Sequence, residues 1–415
     1  MNRTLVVQLI PTPAHAHLLK ETLMQHTACY NQVSCEGFTT QCSNGVELHK
    51  RTYYPLRAQF PKLPAQVVCA ARVRATESVK SALTWQKKKA AAFPKKVAKA
   101  LKLGKPAPVF KPVKCPHSTL TCIRYDQRSY WVKWETLTCS LATIDGRVEL
   151  PFRVPAHLAQ YAGHKVCAAD LCYRKGRFTL HIVVSIPEPA VAPSEEVIGV
   201  DLGLNRPAVT STRVFLGERR WKEQERRIFR LRRKLQAKGT KSAKRHLKKL
   251  SGKRFRQRKD HDHVLSKRIV QTTPTGATLV LENLTNIRET SKMGSGKQNK
   301  NIDNKRRLHS WSFAQLYAFV EYKAQASGSH VKRIDPRHTS QTCSRCGHQA
   351  RNNRRSQSLF LCRKCGYCLN ADLNAARNIK VKYLARLGIS LTGGPSSSDL
   401  SCPSIMGEMQ APSFS

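Results

Sequence analysis

Four cysteines in the last quarter of the chain have the residue type and spacing of a metal site. They form two Cys-x-x-Cys pairs separated by fifteen residues, and a glycine follows each pair, at Gly347 and Gly366. Four thiolates fill the tetrahedral shell of Zn²⁺, so the predicted zinc is structural and has no open catalytic position. The spacing favours a Cys₄ zinc ribbon over unrelated free thiols. The predicted ligands are Cys343, Cys346, Cys362 and Cys365.

Three acidic residues could hold a second kind of metal. Asp201 and Glu282 each end an apolar segment, and Asp372 lies in an Asn- and Ala-rich segment soon after the last cysteine pair. Each alone has a simpler interpretation, as a turn residue, a strand-end surface acid and a helix N-cap respectively. A charge at the end of a buried element is costly, however, unless it is paired or binds a metal. Together the three carboxylates suit the two Mg²⁺ ions of phosphodiester hydrolysis, which prefer oxygen ligands.

The net charge of the chain indicates a polyanionic partner. Lys and Arg number 73 among 415 residues, Asp and Glu number 26, and the formal net charge is +47. An excess of this size predicts nucleic acid as the partner class. The chain starts with a segment too short and too polar for a secretory signal, and it has no apolar run of about 18 residues. We therefore expect a cytoplasmic, nucleoid-associated protein without a membrane partner.

The fifteen cysteines indicate reduced thiols and metal ligation, because disulfide frameworks are rare in proteins without an export signal. One further group near the start of the chain has metal-ligating side chains, but its spacing is irregular. The sequence leaves open whether this group binds a second metal. Its members are His26, Cys29, Cys35 and Cys42.

Periodicity in the first half of the chain predicts a helical segment inserted into a β-rich one. Residues 4–10 alternate like a strand, and residues 15–33 and 65–85 have apolar side chains at helical spacing. The stretch between these helices has the composition of a connecting loop, and residues 85–114 have that of a Lys-rich linker or solvated helix face. Residues 118–186 contain short β-branched and aromatic segments, typical of a small antiparallel barrel or sheet.

The second half of the chain is predicted to combine acid-bearing strands with strongly basic helices. A Pro-rich linker at 187–193 precedes the strand that ends in Asp201. Two long helices rich in Arg and Lys then follow within 219–268, with a break at Gly239. The remaining predicted elements are the strand that ends in Glu282, a basic lid or strand-guiding loop at 291–307, a helix at 311–324, a strand at 330–334 and a disordered tail.

Four segments together resemble a known family. They are residues 197–204, residues 281–284, the Cys₄ ribbon and residues 370–376. In order and spacing they look like the split RuvC nuclease motifs of the TnpB (OrfB) family of transposon-encoded, RNA-guided DNA endonucleases, which are similar to compact type V CRISPR effectors. The resemblance extends over about residues 197–389, whereas the first half of the chain fits by architecture only.

The resemblance implies a site, its metals and its partners. Asp201, Glu282 and Asp372 would be the catalytic, metal-binding triad of a single RuvC-type site with two Mg²⁺ ions, and the ribbon would hold one Zn²⁺. Many relatives have Asp where this chain has Asn370, so a fourth acidic ligand is not expected. The implied partners are a guide RNA and a double-stranded target DNA with a short adjacent motif. The protein, a monomer with its RNA, would read duplex shape while base pairing reads sequence.

The implied fold class is α/β plus all-β and multidomain. An RNase H-like RuvC nuclease domain would contain the inserted zinc ribbon, and an N-terminal wedge β-barrel would be interrupted by a helical recognition domain. The expected divisions are wedge at 1–13 and 115–190, helical insertion at 14–114, nuclease at 191–339 and 368–390, nucleic-acid-binding ribbon at 340–367 and disordered tail at 391–415.

Two alternative functions are compatible with the same motifs. One is an RNA-guided DNA-binding repressor that does not cut, and the other is an accessory transposition protein or a strand-joining transposase, since a fold does not determine its function. The complete triad favours the nuclease, because a protein that only binds has no physical reason to keep three unpaired acids together.

Overall fold

The computed structural model describes residues 1–285, 287–290 and 307–389. The chain divides into two compact units, Met1–Pro187 and Glu188–Ser415. All but the last residue of the predicted lid, and the whole of the predicted tail at 391–415, lie outside the described residues. The finer domain boundaries stay predictions.

The first unit contains a seven-stranded antiparallel sheet. Alternation builds its core, since Leu5, Val7 and Leu9 of the first strand are buried while their neighbours are not. The strands are β1 (Asn2–Leu9), β2 (Ile123–Tyr125), β3 (Tyr130–Lys133), β4 (Thr138–Thr143), β5 (Gly146–Arg153), β6 (Lys165–Arg174) and β7 (Arg177–Ser185). Their order is β2-β6-β7-β1-β5-β4-β3, so β2 and β3 are the edges. A short 3₁₀ helix, Ala156–Tyr161, connects β5 to β6.

Three helices lie between β1 and β2 in the chain, as the sequence predicts for a helical insertion. They are α1 (Pro13–Thr39), α2 (Gly45–Gln59) and α3 (Ala65–Lys102). Helix α1 begins with Thr12 as N-cap, whose side chain accepts a hydrogen bond from the amide of His15, and with Pro13 in the first turn. Its buried residues and those of α3 join the same core as the sheet.

One prediction about these helices is wrong. The stretch predicted as a loop contains α2, which Asn44 caps by accepting from the amides of Val46 and Glu47. Of the two alternatives for the Lys-rich segment, linker or solvated helix face, the structure shows the helix, because α3 continues past Trp85 to Lys102. Lys and Ala dominate this extension and are strong helix formers, so the helix persists there although its buried residues end at Leu83.

The second unit contains a mixed five-stranded sheet. Its strands are β8 (Val197–Asp201), β9 (Ala208–Thr210), β10 (Phe215–Leu216), β11 (Thr278–Glu282) and β12 (His330–Ile334). The order is β10-β9-β8-β11-β12. Strand β11 pairs in parallel with both β8 and β12, whereas β9 pairs antiparallel with β8 and β10.

Helices cover both faces of this sheet. They are α4 (Arg219–Lys238), α5 (Lys241–Gln271), α6 (Ile287–Thr290), α7 (Phe313–Ala326) and α8 (Ala371–Arg386). Apolar residues of α5 and α7 pack on one face, and Ile379 and Leu384 of α8 pack on the other. The predicted break between the two basic helices is confirmed, because Gly239 ends α4 with φ of 63° and Thr240 caps α5.

The cysteine-rich segment lies between β12 and α8. It includes a 3₁₀ turn, Arg351–Asn353, and a two-stranded antiparallel hairpin of β13 (Leu359–Leu361) and β14 (Cys368–Asn370). Strand β14 leads directly into α8. The segment is therefore a small inserted module joined to the helix that carries Asp372.

Candidate active site and metal centre

Asp201 and Glu282 end two neighbouring parallel strands. The ladder between β8 and β11 pairs Val200 with Leu281, so the next row of the same register holds Asp201 and Glu282. Neighbouring strands lie about 4.8 Å apart, and residues of one row point to the same face. The two acids therefore share one edge and one face of the sheet, although 81 positions separate them in the sequence.

Side-chain alternation also shows on which face of the sheet Asp201 and Glu282 lie. Val197 and Val280 pack with Ile379 of α8. Asp201 follows Val197 by four positions and Glu282 follows Val280 by two, so both acids extend from the same face as these valines. The carboxylates therefore belong to the side of the sheet that α8 covers.

Asp372 lies in the first turn of α8 but does not cap it. The N-cap is Asn370, whose Oδ1 accepts hydrogen bonds from the amides of Asp372 at 3.0 Å and Leu373 at 3.3 Å. The simpler interpretation of Asp372 as an N-cap is therefore wrong, and its carboxylate is available for other contacts. Asn370 thus has a structural role as the helix cap.

A glycine lets α8 approach the strand that carries Asp201. A Cβ at Gly199 would lie 2.7 Å from the amide nitrogen of Lys380 and closer still to the carbonyl oxygen of Ala376. Real Cβ atoms essentially never come that close to a neighbour. Only glycine fits between β8 and α8 at this separation, which brings the start of α8 towards the end of β8.

Burial and the charges of the other two acids affect Asp201. Removal from water, followed by the negative charges of Glu282 and Asp372, raises the pKa of Asp201 well above its usual range. Burial also raises the pKa values of Glu282 and Asp372, which are 8% and 7% exposed. Each shift shows that negative charge at this site is destabilised by its surroundings. A bound cation would reverse that effect.

Two neighbours of the triad were not identified as site residues from the sequence. Thr339 donates its hydroxyl to Glu282 Oε1 at 2.7 Å, and Arg354 donates Nη2 to Asp372 Oδ1 at 3.2 Å. Both contacts oppose the rise in the pKa of the acid concerned. The sequence alone assigned no role to Thr339. The ribbon location of Arg354 gave no signal for a contact with Asp372.

The four predicted zinc ligands meet at one point. Sulfur–sulfur distances are 3.8 Å for Cys343 and Cys365 and 3.6 Å for Cys346 and Cys362, and all four sulfurs lie within 4.8 Å of one another. A tetrahedral Zn²⁺ with bonds of about 2.3 Å requires sulfurs about 3.8 Å apart. The cluster therefore fits a four-thiolate metal site such as zinc.

Turns and hydrogen bonds support the cluster from both sides. Gly347 and Gly366 adopt φ of 72° and 67°, and their amides bond back to the carbonyls of Cys343 and Cys362. A knuckle turn after each cysteine pair needs this left-handed conformation, which glycine adopts without strain.

Asparagines of α8 hold the ribbon against the helix. Asn374 donates to the Thr342 carbonyl at 2.8 Å and accepts from the Ser344 amide at 3.0 Å. Asn378 donates to the carbonyls of Thr339 at 2.7 Å and Thr342 at 2.6 Å. Both asparagine side chains are buried, so these bonds are protected from water. The metal cluster and Asp372 therefore share one supporting element.

Among the residues that the structure describes, the four ribbon cysteines are the only group of three or more His, Cys, Asp or Glu side chains gathered closely enough for one ion. The possible second site near the start of the chain is therefore not formed by His26, Cys29, Cys35 and Cys42. Burial, and then the charge of Arg74, lower the pKa of His26 to about 3, so this histidine is a neutral core residue. The triad carboxylates do not converge as the sulfurs do, and Asp372 pairs with Arg354 instead.

The basic helices border a large cationic cavity. Its volume is about 750 Å³, and most of its lining comes from α4. Arg307 also lines it and donates Nη2 to the Leu204 carbonyl and to Asn205, three and four positions after Asp201. The cavity therefore adjoins the loop that follows the first acid. Its cationic lining residues are Lys222, Arg226, Arg230, Arg232, Arg233, Arg254 and Arg307.

This combination of a mixed sheet with three acids and an inserted Cys₄ module agrees with two family models. Residues 181–288 match a family described as "Probable transposase", OrfB_IS605, and residues 313–379 match the "Cas12f1-like, TNB domain" family. The matched regions contain Glu282, Asp372 and all four ribbon cysteines. They also contain Asp201, so every predicted site residue lies in a matched region.

Individual relatives support the same relationship. The CRISPR-associated endodeoxyribonuclease Cas12f1 of Sulfoacidibacillus thermotolerans is 42% identical over 110 residues, which are 26% of this chain and 23% of the relative. A TnpB-like protein of Methanocaldococcus jannaschii is 34% identical over 134 residues, 32% of this chain and 45% of the relative. InsQ, a candidate RNA-guided DNA endonuclease of Escherichia coli K12, is 31% identical over 202 residues, which are 46% of this chain and 49% of the relative.

These matches confirm the predicted resemblance to TnpB-like proteins and the related Cas12f effectors. The chain spans between about a quarter and a half of the length of these curated relatives. A cryo-EM structure of a Cas12f1–sgRNA–target DNA complex contains a chain with a similar fold, at a TM-score of 0.58 and 17% identity over 89% of this chain and 83% of that chain. Across the described residues, we find no helix with the length and apolar character needed to cross a membrane.

Proposed function

We propose that the protein is an RNA-guided DNA endonuclease with a single RuvC-type, RNase H-like active site. The observation that carries this proposal is the position of Asp201, Glu282 and Asp372. Three separate elements bring these acids to one side of one sheet, where Asp201 is influenced by the charges of both others. A two-metal nuclease site requires carboxylates that repel one another until cations bind.

The donor set suits Mg²⁺. Asp201, Glu282 and Asp372 offer hard carboxylate oxygens, and removal from water makes their unneutralised charges costly. Mg²⁺ would supply Lewis-acid stabilisation of the charge that develops on the phosphodiester oxygens. In the proposed site Thr339 orients Glu282 through its hydroxyl, and Arg354 balances the charge of Asp372.

The ribbon has a structural part in this proposal. Its four cysteines complete the coordination shell of one Zn²⁺ and leave no position for substrate. Through Asn374 and Asn378 the ribbon is bonded to α8, and through Arg354 it reaches the triad itself. We infer that zinc keeps the start of α8, and therefore Asp372, in place.

The partners we propose are a guide RNA and a double-stranded target DNA with a short adjacent motif. The support is the net charge of +47 and the cationic cavity beside the loop that follows Asp201. If binding neutralises about 6–10 phosphates, affinity should fall by about 10³–10⁵-fold between 50 and 200 mM salt. Filter binding against NaCl concentration measures this, and a nearly flat titration contradicts it.

Asp201→Ala tests the catalytic assignment. We expect this change to abolish Mg²⁺-dependent plasmid cleavage while guide-dependent DNA binding persists, because it removes a metal ligand and leaves the basic surface intact. Glu321→Ala is a matched control that also removes one negative charge, from an exposed position on α7 where Glu321 lies 3.8 Å from Arg333. Metal-dependent cutting by the Asp201→Ala protein would contradict the triad.

A second candidate function is strand joining in transposition, which the description of the family matching residues 181–288 favours. Sequencing of the RNA that copurifies with the protein separates the two. A defined noncoding RNA that ends in a variable guide supports the endonuclease. Absence of such an RNA, together with joined DNA products in a strand-transfer assay, supports the transposase.

A further inference from the structure

Two cysteines of the first unit face each other across an edge of the seven-stranded sheet. The β2–β6 ladder pairs Ile123 with Leu171, so the next row of the same register places Cys122 opposite Cys172. Their sulfur atoms are 2.8 Å apart. Directly opposed Cβ atoms in an antiparallel pair are about 4.5–5.5 Å apart, and a disulfide spans about 3.5–4.5 Å. A bond between these sulfurs therefore needs only a small local movement.

The pair lies outside the core. Ile123 and Leu171 are fully buried, and alternation puts the cysteines on the opposite, partly accessible face. On that face the next cross-strand row is the ion pair of Arg124 and Asp170, with Nε and Oδ1 3.1 Å apart. A small reagent can thus reach the sulfurs, whereas a core cysteine would be shielded.

A hydrogen bond from Cys172, assisted by the charge of Arg74, favours the reactive form of Cys122. Arg74 of α3 donates Nη1 to the carbonyl oxygen of Cys122 at 3.1 Å. The hydrogen bond from Cys172, and then the charge of Arg74, lower the pKa of Cys122. A thiol with a lowered pKa supplies the thiolate that is the nucleophile in thiol–disulfide exchange. Cys122 is therefore the attacking cysteine and Cys172 the resolving one.

We propose that Cys122 and Cys172 are a redox modification site that forms a reversible disulfide between β2 and β6. The oxidant is a low-molecular-weight disulfide, such as oxidised glutathione. The Cys122 thiolate attacks one of its sulfurs and expels one glutathione thiolate. Cys172 loses its proton to solvent and attacks the Cys122 sulfur, which expels the glutathione from Cys122 as the second thiolate. Two electrons pass from the cysteines to the oxidant, and a dithiol reductant reverses the reaction.

This proposal does not depend on the nuclease assignment, because all its residues belong to the first unit. It is compatible with reduced thiols elsewhere in the chain, since intracellular disulfides, where they form, are usually transient and redox-sensing. The bond would tie the short edge strand β2 to its neighbour, where a three-residue ladder now holds it. Opening of β2 should therefore become rarer on oxidation.

Peptide mapping of the full chain tests the bond. The reduced protein is treated with oxidised glutathione, its remaining thiols are alkylated, and the digest is analysed by mass spectrometry. We expect one linked peptide pair containing Cys122 and Cys172, lighter by two hydrogen atoms than the separate reduced peptides and absent after dithiothreitol treatment. The proposal is overturned if both cysteines are fully alkylated, if both carry stable glutathione, or if either is linked to another cysteine.

Serine variants test the order of attack. In Cys172→Ser we expect Cys122 to stop at the mixed disulfide with glutathione. In Cys122→Ser we expect Cys172 to acquire glutathione at least about tenfold more slowly, because it lacks the stabilised thiolate. The control is Cys167→Ser, because the Cys167 sulfur contacts the Lys165 carbonyl oxygen and neither sulfur of the pair. This variant should form the Cys122–Cys172 bond at the normal rate. If the first glutathione were attached at the same rate in all three variants, the assigned roles of Cys122 and Cys172 would be refuted.

Hydrogen exchange tests the effect on the sheet in the unmodified sequence. The amides of Ile123 and Tyr125 should exchange several-fold more slowly in the oxidised than in the reduced protein, while amides of β4 should not change. An unchanged rate for β2 in a sample shown by mass to be oxidised would refute the proposed stapling of this strand.

Discussion

Substitution of Gly199 by alanine tests how the candidate active site is assembled. The added Cβ would lie 2.7 Å from the amide nitrogen of Lys380, and ordinary contact begins at 3.4 Å. The difference between these two distances means that α8 must move away from β8 by at least about 0.7 Å. The carbonyl oxygen of Ala376 lies closer still and requires a larger movement. Both obstructing atoms belong to backbone, so no side-chain rotation can relieve the clash.

The cost has two parts. Overpacking of this kind destabilises a protein by about 1–3 kcal/mol. Because α8 also carries Asp372, its retreat moves that carboxylate away from Asp201 and Glu282. A displacement near 1 Å in a catalytic arrangement can lower the rate about 10²-fold. We therefore expect Gly199→Ala to lose both stability and cleavage, although the added methyl group touches none of the three acids.

Urea unfolding and plasmid cleavage by the guide-loaded protein measure the two effects. Gly252→Ala is the matched control, because this glycine lies inside α5 and its added Cβ would meet only Arg256 Nη1, at 3.6 Å. That variant should be unchanged or more stable by about 0.5–1 kcal/mol. Wild-type stability and cleavage in Gly199→Ala would refute the close approach of α8. Lower stability with a normal rate would refute its role in placing Asp372.

Two further predictions concern the ribbon and a buried acid. We expect elemental analysis to find one zinc per chain. Cys346→Ser should lose this zinc, whereas Cys35→Ser, at an exposed position in the first unit, should keep it. Equal zinc content in both variants would contradict the ribbon assignment. Burial raises the pKa of Asp262 to about 6. The folded state therefore binds more protons than the unfolded state between about pH 4 and pH 6. As a result, the stability of the protein falls as pH rises through that window. Asp262→Asn keeps an oxygen that can accept from Ser312 and should remove this fall in thermal midpoint; an unaltered pH profile would contradict it.

Much of the local chemistry could be predicted from the sequence. The spacing of Cys343 and Cys346 from Cys362 and Cys365 predicts a cluster of sulfurs that the structure contains. The apolar segments ending in Asp201 and Glu282 predict strands, and these form β8 and β11. Such predictions succeed because metal-ligand spacing and side-chain alternation involve residues only a few positions apart.

Predictions that depended on competing local signals were less successful. Pro and Gly in residues 34–64 suggested a loop, but Asn44 caps a helix there. Asp372 has a residue type that favours helix caps, but Asn370 makes the capping bonds. In each case the local sequence contains two competing signals, and the structure shows which of them prevails.

By itself the sequence determined the ligand types, the strand and helix character of their surroundings, and the positive charge from which a nucleic-acid partner is predicted. Only the tertiary structure decided that β11 pairs with β8 in a register that aligns Glu282 with Asp201, and that Gly199 admits α8 with Asp372 on the same face. It also decided that Arg354 reaches Asp372. The physical reason is distance along the chain: contacts between residues many positions apart depend on sheet register and packing, which no local pattern encodes.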